Sequence, residues 1–294
     1  LLEGVFPPGV LNCVVGGREV GEALATHSGV NAIGLIGSVG AGKAVLHSAA
    51  DSMKRTLLEL GGKNAMVIFP DVDFDAAVDG AIRGMNFTWC GQSCGSTSRL
   101  LVHESLHGRF VEALAASLPK RHKPGLATHM STTMGALVDQ AQYERSRSYI
   151  DIAIQEGARI VAGGKRPADL AKGYFLEATV LDGVQPSHRV AQEEIFGPVL
   201  SVLSWKDEAE MLSIANGVDY GLTASVWTQD LVTAHRTATQ LQAGYVWIND
   251  CSIHLPGAPF GGYKLSGVGR EECLQELHEF TQIKNINVAL RKRG

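Results

Sequence analysis

Short aliphatic and β-branched runs alternate with helical stretches along almost the whole 294-residue chain, and this alternation constrains the fold most. A strand, a helix and a further strand in repeated order bury both faces of a parallel sheet, so the pattern indicates an α/β chain. Strands are expected at residues 11–15, 32–36, 65–68, 99–102, 159–162, 199–203, 224–227 and 245–248. Helices are expected at 20–26, 43–50, 74–85, 106–118, 137–155, 209–216 and 233–241. Glycine and proline cluster at 163–173 and 256–269, which read as loops. There is no internal repeat and no linker, and the basic tail at 291–293 reads as solvated surface.

Composition narrows the function classes. Glycine accounts for 34 of the 294 residues, above an ordinary share of about 7%. It is not periodic, which excludes collagen-like and low-complexity chains and suggests backbone that must approach something closely. Hydrophobic residues make up 45% and charged residues 19%, which excludes a disordered chain. No apolar run is long enough for a membrane span. A net charge of -4 argues against nucleic acid as the partner. Five scattered cysteines without a CxxC pair or a leader read as free thiols in a reducing, cytoplasmic setting.

Three motifs compete for the chemistry. Gly37-Ser-Val-Gly-Ala-Gly42-Lys43-Ala44 follows an apolar strand and nearly matches a nucleoside-triphosphate loop. Ala44, however, has no hydroxyl for magnesium. The same bare amides suit any phosphate, including a dinucleotide pyrophosphate, and a plain strand-to-helix turn is the simplest reading. His103-Glu-Ser-Leu-His107 spells the HExxH of zinc peptidases, but a helix starting near Ser105 leaves the two histidines off a shared face. No metal site is expected there. Cys94 lies in the small, polar stretch Gly91-Gln-Ser-Cys94, which exposes a thiol better than the surroundings of Cys13, Cys90 or Cys273. Glu59, beside Gly61 and Gly62, is a carboxylate with backbone room to act as its base.

Taken together, Glu59-Leu-Gly-Gly-Lys63, Gly91-Gln-Ser-Cys94, Glu193-Glu-Ile-Phe196-Gly-Pro198 and Pro259-Phe-Gly-Gly-Tyr-Lys264-Leu-Ser-Gly267 resemble the aldehyde dehydrogenase superfamily in order and spacing. The resemblance covers essentially the whole chain. It implies an NAD- or NADP-dependent oxidoreductase that converts a small-molecule aldehyde to an acid through a cysteine thiohemiacetal and thioester. Cys94 would be the nucleophile and Glu59 the general base. Gly37, Ser38, Gly42, Leu60, Glu194 and Phe196 would hold the cofactor, although Val39 stands where the family usually has Thr. Trp89, Cys251 and His254 would line the aldehyde pocket.

The implied architecture is a partial Rossmann-like cofactor domain (1–61) and a complete α/β catalytic domain with a parallel sheet (62–265). A return helix (266–284) and an oligomerisation strand with a tail (285–294) follow, the latter implying homodimers or homotetramers. The resemblance also implies about 200 further residues before this point, on the scale of one domain. Weak cofactor binding by the chain alone is therefore expected. A catalytically silent fragment or an assembly partner of such an enzyme is the alternative function, and a nucleoside triphosphatase a remoter one.

Overall fold

The computed structural model describes residues 4–290. The first lobe is built from α1 (Arg18–Thr26), β1 (Ala32–Ile36), α2 (Val39–Ala50) and β2 (Arg55–Glu59), with β1 and β2 parallel. The expected strand at 11–15 does not form; Leu11, Val14 and Val15 are exposed. Among the described residues β1 pairs only with β2, so that segment has no ladder to join. Strand β2, in contrast, was not expected, because its first residues are polar and its burial comes late, at Leu57–Glu59.

Helix α2 begins four residues before its expected start. The Ser38 hydroxyl accepts from the Ala41 N–H at 3.2 Å and caps the helix. Gly40 and Gly42 therefore lie within a helix, which costs backbone entropy. Packing explains Gly42, since a Cβ there would sit 2.5 Å from Leu60 Cδ1. The short side chain lets helix and strand approach.

The second lobe runs β3 (Ala65–Ile68), α3 (Phe74–Gly84), β4 (Arg99–His103), α4 (Glu104–Arg121), α5 (Gln140–Gln155), β5 (Arg159–Ala162), β6 (Thr179–Asp182), α6 (Arg189–Gln192), β7 (Val199–Trp205), α7 (Glu208–Asn216), β8 (Tyr220–Gly221), β9 (Thr223–Trp227), α8 (Leu231–Gln240) and β10 (Tyr245–Ile248). Seven of these strands form one sheet in the order β10-β9-β3-β4-β7-β6-β5, parallel throughout except for β5 against β6. Its central strands are buried on both faces: Met66, Val67, Ile68, Leu100, Leu101 and Val102 expose nothing. Continuous apolar runs, rather than alternating ones, are what two covered faces require. Strand β6 escaped the sequence reading because Thr179-Val-Leu-Asp182 is short and closes on a charge.

Aspartate caps set the helix starts that periodicity misplaced. Asp139 accepts from Gln142 N–H at 2.8 Å, so α5 starts after it rather than at 137. His103 caps α4 with its own ring, and His107 Nε2 lies 2.9 Å from Asp182. The HExxH spelling is thus divided between a cap and a helix, and no metal-holding cluster occurs among the described residues.

The chain then returns to the first lobe. Within the expected loop at 256–269, β11 (Tyr263–Lys264) pairs with β8, and β12 (Gly267–Val268) pairs antiparallel with β2. Of the expected return helix, only α9 (Leu274–Glu279) is helical. Residues 284–290 form no strand among the described residues. The expected tail at 291–293 lies outside those residues.

Candidate active site

Glu59 closes β2 at the junction of the two lobes, with Gly267 of β12 beside it. It is 3% exposed, and its Oε1 finds no hydrogen-bond partner among the described residues. Burial pushes its carboxyl up to about 7; a hydrogen bond from the Cys94 thiol opposes the rise, while Glu271, Glu194 and Glu272 add to it. A buried carboxylate surrounded by like charges holds its proton longer.

Cys94 lies between a 3-10 turn (Phe87–Trp89) and β4. Asn86, Cys90 and Gly91 all take left-handed backbone, coiling the loop under α3. Only glycine fits at 91, because a Cβ there would meet the Gly197 carbonyl at 2.2 Å. Asn64 then fixes the loop: its Nδ2 donates to the Cys94 and Ser96 carbonyls at 2.6 and 2.9 Å, and its Oδ1 accepts from Thr223 N–H at 3.0 Å. The Cys94 thiol is held well above its usual range, by burial first and then by the Glu59 charge and hydrogen bond. Thiol and carboxylate therefore share one proton economy.

Across the loop, Glu194 Oε1 accepts from Gly62 N–H at 3.0 Å. A Cβ on Gly61 would fall 2.2 Å from Glu194 Oε2, so this glycine makes room for the carboxylate. Helix α5 holds the segment from behind. Gln142 donates to the Ile195 and Phe196 carbonyls at 2.9 and 2.7 Å, and Arg145 to the Glu194 carbonyl at 2.5 Å. Phe196 takes a left-handed backbone and is partly exposed. Burial raises the Glu194 carboxyl, against the Gly62 N–H, Lys63 and Arg145.

Gly37 and Ser38 stand at the N-terminus of α2, where a Cβ on Gly37 would have ordinary contacts only, none closer than 3.6 Å. Leu60 packs on this helix through Gly42. The expected pocket residues differ in exposure. Trp89 is 64% exposed, while Cys251 is fully buried with its thiol 3.3 Å from the Gly80 carbonyl. His254 packs 4.5 Å from Phe260 between ring centroids, and its Nδ1 lies 2.9 Å from Glu272.

With Glu59, Cys94 and Glu194 gathered at one junction, comparison with known proteins is decisive. The aldehyde dehydrogenase family model matches residues 1–286. The chain belongs to the aldehyde dehydrogenase family. It is 49% identical to aldehyde dehydrogenase tropH of Talaromyces stipitatus, covering 99% of this chain and 57% of that protein. Against betaine aldehyde dehydrogenase of Bacillus subtilis the identity is 40%, over 97% of this chain and 58% of the relative. A solved betaine aldehyde dehydrogenase of Staphylococcus aureus, in complex with NAD+, superposes with a TM-score of 0.90 at 39% identity. That match covers 94% of this chain and 55% of the other. The chain thus spans a little over half the length of these relatives.

The sequence reading missed several residues that build the site. Asn64, Gln142 and Arg145 act through backbone carbonyls, which no local motif reveals. Asn64 had the best available signal, a polar residue at the mouth of a buried strand.

Proposed function

We propose that the chain carries the reacting half of an NAD- or NADP-dependent aldehyde dehydrogenase. The observation that carries this reading is the buried Glu59 carboxyl, with its proton affinity near neutrality, beside the Cys94 thiol, each acting on the other's proton. The residues fit a dinucleotide: the N-terminus of α2 after Gly37 and Ser38 offers backbone N–H groups to phosphate, and Glu194 offers a carboxylate to ribose hydroxyls. When bound, the dinucleotide supplies the acceptor for two electrons and a proton from the substrate carbon.

The Cys94 proton leaves to solvent as the sulfur attacks the aldehyde carbon, and a C–S bond forms while the carbonyl oxygen becomes an oxyanion. The Cys94 backbone N–H is the donor this chain offers to that oxygen. With that acceptor bound, Cys94 would hold the oxidised carbon as a thioester. Glu59, with its proton passed to solvent, then takes a proton from water, whose oxygen displaces sulfur and releases the acid. A carboxyl near 7 suits this hydrolytic step, being a base strong enough to act and weak enough to let go.

The test is a trapped intermediate. Glu59→Gln incubated with an aliphatic aldehyde and NAD should gain the mass of the aldehyde less two hydrogens, localised to Cys94 by peptide mass spectrometry. No such mass, or the same mass in Cys94→Ala, would overturn the reading.

A second reading is favoured by one observation. The face around β1 carries exposed Ile36 and Met53, and β1 pairs on one side only among the described residues. A chain of this form would contribute its site within an assembly, as a homodimer or homotetramer or beside a longer subunit. Exposed Ile286, Val288 and Leu290 are available to such a partner. Calorimetric titration with NAD separates the readings: micromolar binding by the chain alone supports the first, and none supports the second.

A further inference from the structure

We propose that Tyr149 is a positioning residue for Glu194: through its hydrogen bond to Glu193 it fixes the backbone that carries the Glu194 carboxylate to the Gly61–Gly62 turn. The inference deepens the assignment of Glu194 to the cofactor ribose and rests on it. Among the described residues the Glu194 side chain makes one hydrogen bond, accepting from the Gly62 N–H at 3.0 Å. Where the carboxylate lies is therefore decided by the main chain behind it. Phe196, two residues on, keeps a left-handed backbone, which a non-glycine residue holds only where its surroundings impose it.

Those surroundings lie along one face of α5. Gln142, Arg145, Ser146, Tyr149 and Glu156 recur at steps of three, four and seven residues, which places them on a single stripe of the helix and its C-terminal end. The 189–197 segment runs along that stripe in the opposite direction. Glu156 accepts from the Arg189 N–H at 2.9 Å, and the Tyr149 hydroxyl donates to Glu193 Oε2 at 2.5 Å. Arg145 and Gln142 hold the carbonyls of residues 194–196. A Cβ on Gly197 would fall 2.1 Å from Ser146 Oγ, so the segment seats directly on the helix. Most of these bonds grip backbone; Tyr149 grips the side chain next to Glu194. Its ring is 4% exposed and lies 5.0 and 5.5 Å from the Arg145 and Arg189 guanidinium carbons. Arg189 also meets the Glu193 carboxylate, at 2.7 and 2.9 Å, but that pair is 51% and 41% exposed and contributes little by itself. The buried hydroxyl is what fixes Glu193, and with it the peptide leading into Glu194.

The test follows amide hydrogen exchange in the full chain without cofactor, with Glu194→Ala setting the rate for a lost Gly62 bond. Tyr149→Phe removes one hydroxyl and keeps the ring. It should speed exchange of the Gly62 N–H about tenfold while the amides of β3 and β4 stay as protected as before. An unchanged Gly62 rate, or an equal rise in β3 and β4, would overturn the proposal, the latter because it marks a general loss of stability. Should Tyr149→Phe unfold, Glu193→Ala at the more exposed end of the bond provides the second arm and should raise Gly62 exchange by a similar factor. A fixed Gly62 rate there is equally fatal. The double variant should exceed neither single change, since both cut one path; additive rises would show that Tyr149 does not act through Glu193. By calorimetry, Tyr149→Phe should weaken NAD binding about tenfold, and should add little in a Glu194→Gln background. Absence of NAD binding by every variant, wild type included, counts against the functional reading alone, since the exchange arms run without cofactor.

Discussion

Glu59 shows most clearly how the proposed chemistry and the stability of the fold bear on one residue. Its carboxyl holds a proton up to about 7 in the folded chain, against an ordinary 4.5. The folded state therefore binds more protons than the unfolded one between these values, and stability falls as pH rises through that window. Glu59→Gln removes the penalty. Its advantage over wild type should be absent below pH about 4, grow through neutrality and level off above about 8 at roughly 3 kcal/mol. Thermal melts at pH 4, 6 and 8 check this; a gap that shrinks with rising pH would contradict it. The same substitution should speed iodoacetamide labelling of Cys94 at pH 7, because the carboxylate charge that opposes the thiolate is gone. In wild type, exposed Cys13 should label before Cys94. That reverses the order expected from the sequence, which marked Cys94 as reactive without showing that its resting thiol is held protonated. Gly61→Ala tests the cradle: the new Cβ pushes on the flexible end of Glu194, so NAD affinity should drop about tenfold while the melt shifts little.

At the scale of elements, the site is held by side chains that tie neighbouring segments through their backbones. Asn64 joins the entry of β3 to the Cys94 loop and to β9 by three hydrogen bonds. Asn64→Ala leaves the Cys94 carbonyl and the Thr223 N–H unpaired near the core, while the Ser96 carbonyl keeps the Ser98 N–H, and should cost about 2–4 kcal/mol in denaturant unfolding. It should also make Cys94 labelling faster, since the loop loses its tether. Unchanged stability would mean that the loop is held elsewhere. The strand and helix types were legible because apolar runs and helical periodicity are local. Boundaries were not, because Ser38, His103 and Asp139 decide them through caps. Strands β2 and β6 stayed hidden since neither has an apolar run of ordinary length.

At the scale of the whole molecule, two sheets of unequal protection meet near Glu59 and Cys94. The seven-stranded sheet has fully buried central strands, whereas β1 pairs on one side only among the described residues. Amide exchange should therefore be slowest in β3, β4 and β7, and faster by orders of magnitude in β1 and α1. Equal protection across both lobes would show one cooperative unit with no weaker edge. The sequence by itself determined the parallel α/β class, the glycine turns and the candidate thiol and carboxylates, because these depend on residue type and short spacing. Tertiary structure decided which of them meet. Glu59 and Cys94 stand on different lobes, and the return of β12 to β2, the Asn64 tether and the Gly62–Glu194 bond tie the junction between them. It also decided their proton affinities, since burial and neighbouring charge are properties of the folded surroundings rather than of any motif.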